Sequence, residues 1–193
     1  MQTTLSPQNT ALERNALFDA SLQLISEGRF FPNTMREVAF RARMSAATAS
    51  YIYQSKNQLE IDLVENVVDK ITSVMNRAIA KGGTFKEVFF DLWYALSKFY
   101  VKNPPVISLL EQFGNLSSSS AEYPGSSPAL VGFFSPANLP QTFKPGNAEA
   151  LAFLYHESIM TGVRMKLRNL SGADDIDMRN LPHALWVSMC IGG

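Results

Sequence analysis

The chain has 193 residues, 46% of them hydrophobic, and its 17 basic residues are balanced by 17 acidic ones. That is enough to bury a core without metals or disulfides, and the total charge points to no partner. A single cysteine, Cys190, excludes an intrachain disulfide and fits a reducing cytoplasm. The opening MQTTLSPQNT lacks the basic start and apolar stretch of a signal peptide, and the strictly apolar runs are only a few residues long, so a soluble cytoplasmic protein with no membrane partner is expected.

Helix starts dominate the chain. A capping box, Ser or Thr followed three residues later by Glu or Gln, occurs at Thr10/Glu13, Thr34/Glu37, Ser55/Gln58 and Thr84/Glu87, each before apolar residues at a 3.6 period. The spacing predicts a first helix from about Ala11 to Glu27, with Leu17, Ala20, Leu24 and Ile25 inward and Gly28 in the left-handed position after it. A second helix is expected over Met35–Ala42, a turn at Arg43-Met44, and a third short helix from Ala46 to about Tyr53, capped by Ser45. The fourth, Lys56 to Ala80, keeps Leu59, Leu63, Val67, Ile71, Val74 and Met75 on one face and stops at Gly82-Gly83.

The fifth helix, Phe85 to Val101, is the most aromatic; Phe85, Phe89, Trp93 and Tyr100 share one side, with Phe90 and Tyr94 turned away. Asn103-Pro104-Pro105 breaks the chain, and Val106 to Phe113 reads as a short helix. Gly114 to Gly146 is rich in Ser, Pro and Gly and reads as a long loop with one short helix near Ala129 to Phe134. Asn147 caps a helix to about Leu170, and a last one runs from about Met178 to Ile191. With no strand alternation and no repeat, the expected fold class is all-α.

Residues 11–59 hold three helices, the second and third joined by a very short turn, which is the pattern of a helix-turn-helix. Charge is distributed to match. Between Gly28 and Leu59, Arg29, Arg36, Arg41, Arg43 and Lys56 face Glu37 alone. The third helix, SAATASYIYQSK, is small and uncharged until Lys56. A helix just fits the major groove, so short side chains on its leading edge let the backbone approach the bases. The methyls of Ala46, Ala47 and Thr48 suit thymine methyls; the hydroxyls of Thr48, Ser50, Tyr51 and Tyr53 suit phosphates; Lys56 adds a charge at the flank. The helix N-termini at Thr34 and Ser45 offer free N–H groups to phosphate oxygens. The alternative is a small bundle with a polar helix facing solvent, since alanine-rich turns are also good helix formers.

These residues carry a resemblance. TMREVAFRARMSAATASYIYQSKNQL, with ALERNALFDASLQLISEG before it, resembles the N-terminal DNA-binding domain of the TetR family of bacterial transcriptional regulators. The matching features are Gly28, the run Thr34-Met35-Arg36-Glu37-Val38-Ala39, Ala42, Ser45, Thr48, Tyr53, and Ser55-Lys56 before Leu59. The departures are Arg43, where the family usually has Gly, Ser50, where it has Tyr, and Ala46, near which it often has Lys or Arg. If the backbone at Arg43 is left-handed, strain of roughly 1 kcal/mol is expected there.

The resemblance implies an N-terminal helix-turn-helix domain over residues 1–55 and a ligand-binding and dimerisation domain over 56–193. It implies a regulator, in the family's commoner habit a repressor, that is a homodimer, binds a palindromic double-stranded DNA operator and is released by a small ligand. DNA contact then falls to Thr34, Arg36, Ser45, Ala46, Ala47, Thr48, Ser50, Tyr51 and Lys56. A hydrophobic ligand is expected among Phe89, Trp93 and Tyr100, with Met75, Phe113 and Met160 as further apolar lining and Glu111, Gln112, Tyr155 and His156 as polar groups. For each, ordinary packing or surface exposure is the competing reading. The dimer interface is expected on the last two long helices, at Leu151, Leu154, Ser158, Gly162 and Met165 on one and Trp186, Met189 and Cys190 on the other; the bland alternative is packing within one chain.

An enzyme finds little support. His156 and His183 lie on different helices with no metal-ligand spacing, and Cys190 reads as a core thiol. Asp174, Asp175 and Asp177 read as a solubilising loop, and no phosphate-cradling glycine motif occurs, so no cofactor is expected. The rival from another class is a dimeric ligand-binding or structural α-protein with a vestigial helix-turn-helix.

Overall fold

The computed structural model describes residues 7–28, 34–112, 122–168 and 176–191. Among these, the elements are α1 (Pro7–Ser26), α2 (Met35–Arg41), α3 (Ala46–Ile52), α4 (Lys56–Ala80), α5 (Phe85–Lys102), α6 (Pro104–Glu111), a 3-10 turn (Pro124–Ser126), α7 (Pro128–Phe133), α8 (Ala148–Leu167) and α9 (Ile176–Met189). The one β feature among them is an isolated bridge between Phe143 and Cys190. The fold is all-α, and no described helix is long and apolar enough to cross a membrane.

The chain forms two compact units. The first takes residues up to Val67 and the stretch from Pro105 that holds α6; the second takes Val68–Pro104 and the residues from Glu122 onward. In the first unit, Leu17, Ala20, Leu24 and Ile25 of α1 are buried as their spacing predicts, together with Val38 and Ala39 of α2, Ala49 of α3 and Leu59, Leu63 and Val64 of α4. Removing these side chains from water supplies the stabilisation that short helices such as α2 and α3 cannot generate alone.

The second unit is built around α8, which packs against α5, α7, α9 and the 3-10 turn. Its centre is aromatic. Phe89 sits edge-on to Tyr155 at 4.8 Å and to Trp186 at 5.1 Å, while Phe85 stacks on Phe133 at 4.5 Å. Phe134 and Phe143 close the cluster. Edge-to-face pairs of this kind add to the area they bury.

The start signals are realised unequally. At α5 the full capping box forms: Thr84 Oγ1 accepts from the Glu87 N–H at 3.3 Å and Glu87 Oε2 accepts from the Thr84 N–H at 2.8 Å. The Thr84 N–H, and the Thr84 hydroxyl that also donates to Oε2 at 2.8 Å, hold the Glu87 carboxyl below its usual range. Ser55 accepts from the Gln58 N–H at 3.2 Å, whereas Thr34 makes no side-chain cap. Thr10 is not a cap, because α1 already begins at Pro7, a residue suited to a first turn. Likewise α6 starts at Pro104 rather than Val106; the two prolines occupy the first turn, where a missing N–H costs nothing. Asn147 caps α8 as expected, accepting from Glu149 and Ala150, and α8 ends at Leu167. The carbonyls at the end of α9 are taken up by the 142–144 segment. Lys144 donates its N–H to Met189 at 2.7 Å and its Nζ to Ser188 at 2.6 Å, and Ile191 donates to Thr142 at 2.7 Å.

Candidate nucleic-acid interface

The turn between α2 and α3 is closed by two backbone bonds, Arg43 N–H to Phe40 O and Met44 N–H to Ala39 O, both 3.0 Å. This is a Schellman ending, which needs a left-handed residue after the helix. Arg43 takes that role with φ 58°, the one described non-glycine residue with positive φ. Ser45 then caps α3: its Oγ accepts from the Thr48 N–H at 3.0 Å and pairs with Thr48 Oγ1 at 2.8 Å. Two tight closures in succession bring α3 back across α2, and the two helices pack together.

The orientation of α3 follows from what it buries. Ala49 is fully buried and Tyr53, just past the helix, is 2% exposed beside Phe18. Tyr53 therefore does not reach phosphate, contrary to the expectation from sequence. Its phenol is pushed up to about 12, first by burial and then by the Asp62 carboxylate, and the Arg14 guanidinium lies 5.5 Å from its ring centre. With 49 and 53 inward, positions 47 and 51 turn outward by helical geometry, while 46 lies in the open first turn and 50 at the flank. Ala46, Ala47 and Ser50 are exposed, and Tyr51 is 75% exposed. Thr48 is half-buried at the edge of that ridge. Thr34, Arg36 and Ser45 are exposed in the same unit.

The basic surplus is thinner than the sequence suggests. Glu27 accepts both Arg41 guanidinium nitrogens at 2.8 and 2.9 Å, and Lys56 lies 3.5 Å from Glu60 one turn on. Arg36 and Arg43 are the exposed cations of the α2–turn segment. Phe40, which sequence reading passed over, is 82% exposed there. Its signal was its place one residue beyond the inward pair Val38 and Ala39.

The expected ligand-lining residues fall in two groups. Met75, Phe89, Trp93, Tyr100, Tyr155, His156 and Met160 are all fully buried in the second unit. Exposed Glu111 and half-buried Gln112 belong to the first unit, and Phe113 lies outside the described residues. The polar members have partners within the chain. Tyr155 donates to the Phe89 carbonyl at 2.6 Å. Tyr100 Oη and His156 Nε2 are 2.7 Å apart, and His156 Nδ1 lies 3.6 Å from Glu157, which also accepts from Tyr123 and faces Arg164 at 3.8 Å. Burial holds His156 below its ordinary value and keeps the Tyr100 phenol protonated. The carboxylate beside Nδ1 favours the proton on that nitrogen, so Tyr100 donates to Nε2.

Of the residues expected at a dimer face, Leu154 is exposed, Leu151 and Met165 are half-buried, and Ser158 bonds within the chain to Trp93 and the Tyr155 carbonyl. Gly162 is covered by its own chain, where a Cβ would lie 2.8 Å from Leu181 Cδ1. Trp186 joins the aromatic cluster, Met189 is buried and Cys190 bridges to Phe143. Phe153, Val187 and Ile191, not anticipated, are exposed apolar residues on or beside these helices. Their signal was apolar residues outside the inward stripe, as with Phe153 beside Leu154.

No family model and no curated protein matches the sequence. Solved structures do. The chain is similar to a TetR family transcription regulator from Marinobacter aquaeolei VT8, with a TM-score of 0.76 and 18% identity over 96% of this chain and 99% of that one. It is similar to a TetR-family transcriptional regulator from Haemophilus influenzae RD, with a TM-score of 0.76 and 14% identity over 95% and 100% of the two chains. A fatty acid degradation regulator from Bacillus halodurans matches with a TM-score of 0.64 and 11% identity over 95% and 96%. The chain thus has the TetR-like fold, an N-terminal helix-turn-helix followed by a helical C-terminal part.

Proposed function

We propose that a chain with this fold acts as a DNA-binding transcriptional regulator, a homodimeric repressor that leaves a palindromic operator when a hydrophobic small molecule binds its second unit. The observation that carries the reading is the exposed ridge of α3. The exposed Ala46, Ala47 and Ser50 present nothing bulky, while Ala49 and Tyr53 hold the helix to the core. Such a helix enters a major groove without its side chains holding the axis away. Tyr51, Arg36 and the capped N-terminus at Ser45 suit the flanking phosphates. Exposed Leu154 and Val187 support contact with a second copy, which a palindrome requires.

The test is a binding titration against duplex DNA flanking the protein's own gene as salt is varied. Specific recognition gives tight binding that falls steeply with salt yet stays about a thousandfold or more above random duplex. Equal affinity for both duplexes, or none, overturns the reading. A vestigial helix-turn-helix is the second reading, favoured by one observation: the outward positions 46, 47 and 50 carry no charge and no amide to read base edges. It predicts the equal or absent binding.

A further inference from the structure

A groove of about 290 Å³ opens in the second unit between α5, the end of α8 and the start of α9. Its floor is apolar, with Trp93 fully buried and Val101 and Met178 half-buried. Lys98 and Arg179 are exposed along it and Lys166 is half-buried, and none of the lining residues is acidic. Ser97 also lines it, is 4% exposed, and its Oγ has no hydrogen-bond partner. Ser21, equally buried, donates to the Leu17 carbonyl at 2.8 Å. A buried hydroxyl left unpaired costs free energy unless something else meets it.

We propose that this groove binds a small amphiphilic carboxylate, its apolar body on Val101 and Met178 above the buried Trp93 and its charge at Lys98 and Arg179. The apolar floor selects against ions such as inorganic phosphate, which would strip their hydration for no return. The cations select against neutral hydrophobes, and the Ser97 hydroxyl supplies a directed donor between floor and charge. The site needs only the second unit and stands whether or not the first unit binds DNA.

Isothermal titration of the full chain with 2-naphthoate, and in parallel with neutral 2-naphthalenemethanol, tests it. The expected result is saturable one-site binding of the carboxylate, about tenfold tighter than the alcohol. Lys98→Gln and Arg179→Gln should each weaken the carboxylate about three- to fivefold and leave the alcohol unchanged. Val101→Trp, which fills the groove, should abolish both; Ser97→Ala, a milder change, should weaken the carboxylate with the helical circular dichroism retained. No saturable binding of 2-naphthoate, equal affinity for the alcohol, or binding indifferent to the Lys98 and Arg179 variants overturns the proposal.

Discussion

The backbone N–H of Met44 donates to the carbonyl of Ala39 at 3.0 Å, and the chain closes that bond by turning Arg43 to φ 58°. Met44 immediately precedes the Ser45 cap, so the same closure that ends α2 aims the first turn of α3. Glycine is the residue that takes this conformation without penalty; an arginine Cβ is crowded against the following carbonyl.

Arg43→Gly should therefore stabilise the protein by about 1 kcal/mol, and Arg43→Val should destabilise it by at least as much, since a branched side chain is worse placed there. Urea unfolding followed by circular dichroism reads both. A neutral or destabilising glycine would mean that Arg43 makes a compensating interaction.

Ala47→Leu adds bulk to the outward ridge without touching the core. Its effect on the unfolding midpoint should be small, within about 0.5 kcal/mol, as for exposed sites generally. Specific DNA affinity should fall about tenfold or more, because the helix axis is held out of the groove. Tyr51→Phe should instead weaken all sequences alike, and Thr48→Val should change which sequence is preferred. Anisotropy titrations on specific and random duplexes distinguish the three.

Acid should destabilise the second unit through His156. Burial lowers its proton affinity below the ordinary 6.5, so on acidification the unfolded chain takes up the proton first. The contribution of the neutral imidazole is fully present above about pH 6.5 and is lost as pH falls from there toward the folded value. Melting temperature should drop between pH 7.5 and 5.5, and His156→Gln should flatten that drop. Glu157, held low by His156 and Tyr123, acts in a separate window: its stabilisation is lost only as pH falls below its ordinary 4.5.

Leu154→Glu together with Val187→Glu places charge on two residues more than half exposed in the single chain. If α8 and α9 meet a second copy, light scattering should show a monomer at micromolar concentration where the unaltered chain is a dimer, with helicity retained. A dimer that survives both changes, or an unaltered chain that is monomeric, rules out this face.

Much of the fold was legible in one dimension. The 3.6-residue period of Leu17, Ala20 and Leu24 names an inward stripe because only that face can leave water. Gly28 and Gly82 take the left-handed turns that glycine favours. The short connection after Arg41 leaves the chain no course but a reversal. Caps were legible as a vocabulary but not as events. Thr84 and Glu87 close their box, while Thr34, with a similar motif, makes no cap.

What the sequence by itself determined is where helices run and that 45–52 is small and uncharged, since periodicity, caps and side-chain size are local properties. Only the tertiary structure decided which way that segment faces: burying Ala49, and Tyr53 beside Phe18, turns Ala47 and Tyr51 to the outside. It likewise decided that Gly162 is small for Leu181 of its own chain and that the Ser97 hydroxyl lacks a partner at an apolar groove. Such facts depend on residues distant in sequence meeting across helices, and no local pattern specifies which neighbour arrives.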